Sequence, residues 1–504
     1  MAGRLARLAR TVVGLHPVQV LARGPALLGS RVVRWIPTGH APDVAPSFPP
    51  APAALVALAL AERERARARL PRLVNDPSLL AYERVYGLEL ATDGEGPLPY
   101  DDPMAVRPAP ASIRARRIAV AIRAGARREL RPELARACRA VALQPELHLL
   151  GNHLLENGLG LACGGAIARG GEADLWWRIG RAIVDAQIDT QFLADGGHFE
   201  RSATYHAQCL ASLLEAIELA DAGGRGAPAR WRRAASRAAD FLARVRTPDG
   251  ALPLFNDAAL DAAPDVDRIL DLARALDVFS SIDAPPSNVW ARHFEATGWV
   301  VIGDGSRDRL VVDAGADGAP HQPGHVHADA LTYELFVDGA RTIVDFGVAG
   351  YDRGAARDET RATRVHNTVE IDGHDSAEVW AGFRVGRRTG TSIRALDVDR
   401  DGARLEATHD GYRALPGAPA HVRVFTFARR RLTVVDRVEG GFRSAASRVR
   451  LDRAAGARLH VEGSGAVAQR SSVWYARHAE ARPAVVLEQR LVPSAPTCQW
   501  TFTW

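Results

Sequence analysis

Around Pro285-Pro286 the apolar residues change their period, from one that suits helices to one that suits strands. Upstream, from about 54 to 280, Ala-, Leu- and Arg-rich stretches such as Ile113–Arg128, Leu175–Leu193, Ala203–Ala222 and Trp231–Val245 are separated by Gly- and Pro-containing breaks. Consecutive helices of this length predict a bundle, solenoid or toroid. Downstream, runs such as GWVVIGD, DRLVVDAG, LTYELFVDGARTIVDFG and VRVFTFARRRLTVVDRVEG are short and β-branched, with Asp338-Gly339 placed as a hairpin turn requires. So many strands predict an antiparallel sandwich of two sheets. A chain of 504 residues exceeds the size at which one core stops growing. The expected division is a helical domain over 54–285 and a β domain over 290–504, preceded by an N-terminal arm over 1–53 that ends in the extended connection PTGHAPDVAPSFPPAPA.

With 47% hydrophobic and 24% charged residues the chain has the makings of a folded core rather than of a disordered tract. The net charge of +5 gives a slight lean toward an anionic ligand, but no concentrated basic stripe or known module points to nucleic acid. Cys138, Cys163, Cys209 and Cys498 lack metal-finger or C-x-x-C spacing and are expected as buried free thiols. Arg4, Arg7 and Arg10 precede an apolar stretch that His16 and Pro17 interrupt, so no clear export signal is read, and sequence alone places the protein in the cytoplasm. No apolar run is long enough for a membrane span. Oligomeric state has no signature.

Three polar clusters stand out. In GNHLLENGLGLACGG (151–165), Leu147, Leu150, Leu154 and Leu161 form a stripe and Asn152 and Glu156 fall on the opposite side, with His153 between. A helix this apolar on most sides needs partners or a cavity for its polar residues. In DGGHFERSATYHAQCL (195–210), Ser202 is a credible N-cap; His206 extends the apolar stripe of the helix that follows, whereas Tyr205 points away from it. In the β region, His325 and His327 alternate by two and share a face in an extended segment, where Asp345 and His366 join them from other strands. Two His and one Asp suit zinc, and equally suit a hydrogen-bonded buttress.

GNHLLENG, GGHFERSATYH, GHVHADALTYELFVDG and RVHNTVEIDG, in this order across a helix-to-strand transition, resemble the signature segments of the heparinase II/III family. The resemblance covers roughly 140–390; HPVQVLARG and LAYERVYGLEL are similar to segments of relatives encoded with exopolysaccharide or capsule genes. It implies an incomplete (α/α) toroid followed by an antiparallel β-sandwich, a cleft between them, and a place of action in the periplasm or outside the cell. It also implies that Asn152 and His153 lie beside the substrate carboxylate, with Glu156 one turn on, that Tyr205 is the catalytic tyrosine, and that His325 comes from the β domain. Arg201 and His206 flank the tyrosine as supporting groups, while His327, Asp345 and His366 match a structural zinc or other divalent-ion site; no organic cofactor is implied.

These residue types belong to one reaction. In β-elimination from a hexuronate, the carboxylate must be neutralised while the C5 proton leaves, a role for Asn152 with His153 or His325. A phenol serves as base and acid only where cations offset its phenolate. The expectation is a lyase acting on an acidic polysaccharide. The alternatives are a glycoside hydrolase using two of Glu156, Asp195, Glu200 and Asp257, and a non-catalytic glycan-binding protein.

Overall fold

The computed structural model describes residues 6–8, 10–11, 15–23, 40–45, 47–75, 107–125, 128–319, 321–351 and 353–504, so the LAYERVYGLEL segment lies outside the described residues. A short helix α1 (Pro17–Leu21) precedes the extended connection, and then come α2 (Ala53–Asn75), α3 (Pro108–Arg123), α4 (Arg131–Leu143), α5 (Asn152–Ile167), α6 (Gly171–Gln191), α7 (Ala203–Ala222), α8 (Ala229–Val245) and α9 (Val266–Ala275). They form an incomplete (α/α) toroid. The expected helix over Ile113–Arg128 instead runs over Pro108–Arg123, because Pro108 and Pro110 suit a first helical turn and Gly125, at φ +91°, stops the helix. Helix α5 is central, packed against α3, α6 and α7. Its glycines allow the close approach: a Cβ on Gly160 would meet the Ser112 carbonyl of α3 at 2.7 Å, and one on Gly165 the Trp177 amide nitrogen of α6 at 2.4 Å.

Among the described residues of the β half there are seventeen strands, β1 (Trp290–Phe294) to β17 (Thr497–Thr503), the longer ones alternating buried and exposed residues as a half-covered sheet must. One sheet runs, in spatial order, Trp290–Phe294, Trp299–Gly303, Arg309–Asp313, Tyr333–Val337, Ala340–Ile343, Ala445–Asp452, Glu480–Leu491 and Val467–Arg477, and the other His460–Gly463, Thr497–Thr503, Arg431–Glu439, Ala420–Ala428, Gly402–His409 and Thr391–Val398. Their facing sides share a core: Val300, Leu310 and Leu335 of the first pack with Phe425, Leu432 and Trp500 of the second. Asp338 and Gly339 take φ of 50° and 84° between β4 (Tyr333–Val337) and β5 (Ala340–Ile343), the two-residue hairpin expected. No described helix is long and apolar enough to cross a membrane.

The two halves are fused rather than merely linked. The largest apolar cluster of the toroid takes in Phe294, Trp299, Val301, Val311 and Phe336 from the strands, with Trp299 meeting Phe241 and Phe255 at ring-centroid distances of 5.9 and 5.5 Å. All four cysteines are buried and free.

Candidate active site between the two halves

A cavity of about 1050 Å³ opens between the toroid and the sandwich, and its walls include Asn152, His153, Glu156, Tyr205 and His325. The backbone turns sharply before each toroid contribution. Leu150, Arg201 and Asn256 take φ of 57°, 54° and 56°, a region non-glycine residues rarely adopt, just upstream of Asn152, Tyr205 and Asp257. Such strain persists only where surrounding structure over-determines it. Here Asn256 supplies part of that structure, its Nδ2 donating to the Arg201 carbonyl at 3.2 Å and its Oδ1 accepting from the His327 amide at 3.0 Å.

On the toroid wall, the Asn152 amide nitrogen donates to Glu200 Oε1 at 2.9 Å, while its side-chain Oδ1 is buried without a hydrogen-bond partner among the described residues. Among the described residues nothing donates to that oxygen, so the side-chain amide is left to a ligand, which its Nδ2 can meet as a donor and its Oδ1 only as an acceptor. His153 Nδ1 sits 3.3 Å from Glu146 Oε1. Burial disfavours the imidazolium, but Glu146 outweighs it and the His153 pKa is raised. Glu156 is tied by Arg116, whose Nε donates at 2.8 Å.

Tyr205 stands in the first turn of α7, its ring against the His325 imidazole at 3.9 Å between centroids and its hydroxyl 3.1 Å from that of Tyr351. Burial, then Tyr351 and Asp257, push the phenol well above its usual pKa, so it rests protonated. The supporting roles expected for its neighbours are corrected by the structure. The left-handed backbone at Arg201 turns its guanidinium onto the Ala316 and Ala296 carbonyls, and His206 is a core residue, its Nε2 on the Ala238 carbonyl at 3.1 Å and its pKa lowered by burial to about 4. A described cation whose charge reaches Tyr205 is Arg357 of the short helix α10 (Ala355–Thr360).

His325 lies on an irregular loop and is fixed by charge. Its Nδ1 is 2.8 Å from Asp257 Oδ2, and its Nε2 is 3.3 Å from Glu200 Oε2. Asp257 is the hub: it also meets His327 Nε2 at 2.8 Å and takes a two-pronged contact from Arg357. Burial alone would raise the pKa of this carboxyl; Arg357, His325 and His327 overcome it and hold the group well below its usual range.

Behind His325, one ligand atom from each of His327, Asp329 and His366 lies within 4.8 Å of the others. His327 Nδ1 and His366 Nε2 are buried without hydrogen-bond partners among the described residues, and burial lowers the His327 pKa to about 3, which leaves its imidazole neutral as a metal requires. These residues fit a divalent ion. Asp345, expected as a ligand, instead contacts His366 Nδ1 at 3.0 Å and accepts from Thr332 Oγ1 at 2.8 Å, orienting the imidazole from behind.

Sequence reasoning passed over Arg357, Tyr351 and Asp329, and gave Asp257 and Glu200 only a role in hydrolysis. The one local signal for Asp257 was a polar Asn256-Asp257 pair inside the apolar run LPLFNDAAL; Arg357 sits among several arginines with nothing to distinguish it.

The heparinase II/III N-terminus family model matches residues 138–284, and the heparinase II/III-like C-terminal model matches residues 288–496. A heparin-sulfate lyase of Bacteroides stercoris is 26% identical over 242 residues, covering 44% of this chain and 36% of that protein. One from Pedobacter heparinus is 24% identical over 241 residues, with the same coverage. The matches thus span little more than a third of these curated relatives. Among solved structures, a heparinase III shares the fold with a TM-score of 0.62 at 14% identity, covering 95% of this chain and 88% of its own. A chondroitin AC lyase of Streptomyces coelicolor A3, solved with chondroitin sulphate, does so with a TM-score of 0.52 at 14% identity, covering 95% and 82%. Matched in order through both of its halves, on the fold those halves build, this chain belongs to the heparinase II/III family.

Proposed function

We propose that the protein is a polysaccharide lyase that cleaves a uronic-acid-containing acidic polysaccharide by β-elimination. The observation that carries this reading is the meeting of Tyr205 and His325, from opposite halves of the molecule, in one cavity with the uncommitted Asn152 amide. Asn152 and His153 hold the substrate carboxylate as negative charge builds on it, and His325 completes that grip from the β side. The C5–H bond breaks, a C4–C5 double bond forms, and the C4–O bond to the leaving sugar breaks. Tyr205, protonated at rest, delivers the proton to the departing oxygen. In a syn elimination the Tyr205 phenol first loses its proton to solvent, and the phenolate takes the C5 proton and passes that same proton to the leaving oxygen; in an anti elimination His325 takes the C5 proton while the Tyr205 phenol gives its own.

The hydrolase alternative needs two free carboxyls flanking one bond. Glu156 is paired with Arg116, Asp195 accepts the Thr297 amide and hydroxyl, and Glu200 and Asp257 both serve His325. A divalent ion held by His327, Asp329 and His366 would tie the loop bearing His325 to the segment that leads into the strand Val369–Ile371, a structural role. We place the substrate outside the cytoplasm, as an exopolysaccharide or capsule polymer. The test is incubation with a panel of uronate polymers: the lyase reading expects near-ultraviolet absorbance from an unsaturated product. New reducing ends without that absorbance would make the protein a hydrolase, and binding without cleavage a glycan-binding protein.

A further inference from the structure

The described residues of the N-terminal segment are held at two places beside the cleft. At one end Arg10 makes two bonds to Glu378, at 2.9 and 2.6 Å, Arg7 lies 3.4 Å from the same carboxylate, and Trp380 Nε1 donates to Thr11 Oγ1 at 3.3 Å. At the other end α1 is held by a reciprocal cap between His16 and Gln19. Gln19 is only 3% exposed, although it lies on a five-residue helix whose neighbours Val18 and Val20 face solvent. Its Nε2 donates to the Leu149 carbonyl at 2.9 Å and to the His321 carbonyl at 3.1 Å, so one amide is shared by the toroid and the β half. Leu149 lies three residues before Asn152, and His321 four before His325. Leu8, Thr11, Leu15, Gln19 and Arg23 all line the cavity.

We propose that this strap closes one end of the cleft, so that the site is a pocket rather than a through-groove and the protein works from a chain end, releasing small unsaturated units. The proposal rests on the lyase reading. A polymer cleaved in its interior must leave the site on both sides of the scissile bond. A buried amide bonded to both walls, a few residues from Asn152 and His325, blocks one of those exits. The cavity, about 1050 Å³, lies near the upper end of the range for ligand pockets.

The test follows viscosity and product length during digestion of a polymer that the protein cleaves. Wild type should give one small unsaturated product from the earliest times, with viscosity falling slowly. Gln19→Ala combined with Glu378→Ala, which removes the shared amide and the carboxylate that holds Arg7 and Arg10, should shift the early products to mixed lengths and speed the loss of viscosity; Glu378→Gln, a gentler change, should shift them the same way to a lesser extent. A ladder of oligosaccharides from wild type, with absorbance still rising, overturns the strap and leaves the lyase reading standing. Folded variants with the wild-type product pattern also overturn it, and no absorbance from any polymer removes both readings.

Discussion

On the toroid wall of the cleft, Asn152 and Tyr205 stand in the first turns of α5 and α7, helices of 16 and 20 residues whose remaining faces are locked by apolar packing. On the β wall, His325 stands on a loop without regular structure, and its position depends on Asp257, Glu200 and, behind them, Arg357. Hydrophobic burial is non-directional and tolerates a changed side chain at a helix start. A buried ion cluster depends on every partner, since removing one leaves the others charged and desolvated. Substitutions on the first wall should therefore affect chemistry alone, and substitutions behind the second should affect chemistry and folding together.

Tyr205→Phe is the largest expected effect. It removes one oxygen and one hydrogen bond to Tyr351, a loss of at most about 0.5–1.5 kcal/mol in stability. If the phenol transfers protons, kcat falls by roughly 10²–10⁴ while the melting temperature hardly moves. Steady-state kinetics beside a thermal melt decide it; turnover above about a tenth of wild type removes the proton-transfer role.

Asp257→Ala should cost about 3–5 kcal/mol of stability, because Arg357 is left buried without its carboxylate, and activity should fall with it. The pH dependence has a definite sign. Since the folded pKa of Asp257 is depressed, its contribution is complete above the unfolded value of about 4 and is lost as pH falls toward the folded one. Wild type should therefore lose more stability than the variant on acidification, measured by denaturant titration across that range. Equal losses would mean that the cluster does not anchor the β wall.

Removal of a divalent ion should come next in size. Chelation is expected to lower the melting temperature by about 2–5 °C before it lowers the activity of the surviving protein. Metal analysis finding none in fully active protein would remove the ion from the account of the β wall. The smallest effect belongs to His153. Its folded pKa is raised beside Glu146, so its positive charge is present at low pH and is lost as pH rises through that value. KM for an anionic polymer should then rise by about tenfold or less as pH is taken upward past the ordinary imidazole range in wild type and stay flat in His153→Gln.

Much of the molecule was legible without coordinates because its signals are local. Helix and strand periods, the Asp338-Gly339 turn, and the placing of Tyr205 off the apolar stripe of its own helix each depend on a few neighbouring residues. The conjunction of Asn152, His153, Glu156, Tyr205 and His325 in one cavity was suggested by family resemblance, since no local pattern brings two halves of a chain together. What the tertiary structure decided is the pairing of buried charges. Asp257 meets His325, His327 and Arg357 across separations of 68, 70 and 100 residues; Arg201 turns to carbonyls of the β half; Asp329 rather than Asp345 faces the space shared by His327 and His366; and Gln19 reaches both walls. A period in sequence records which face of an element is buried. Which charge will be buried against which depends on where distant elements come to rest, and a buried ionised group is tolerated only once that partner is in place.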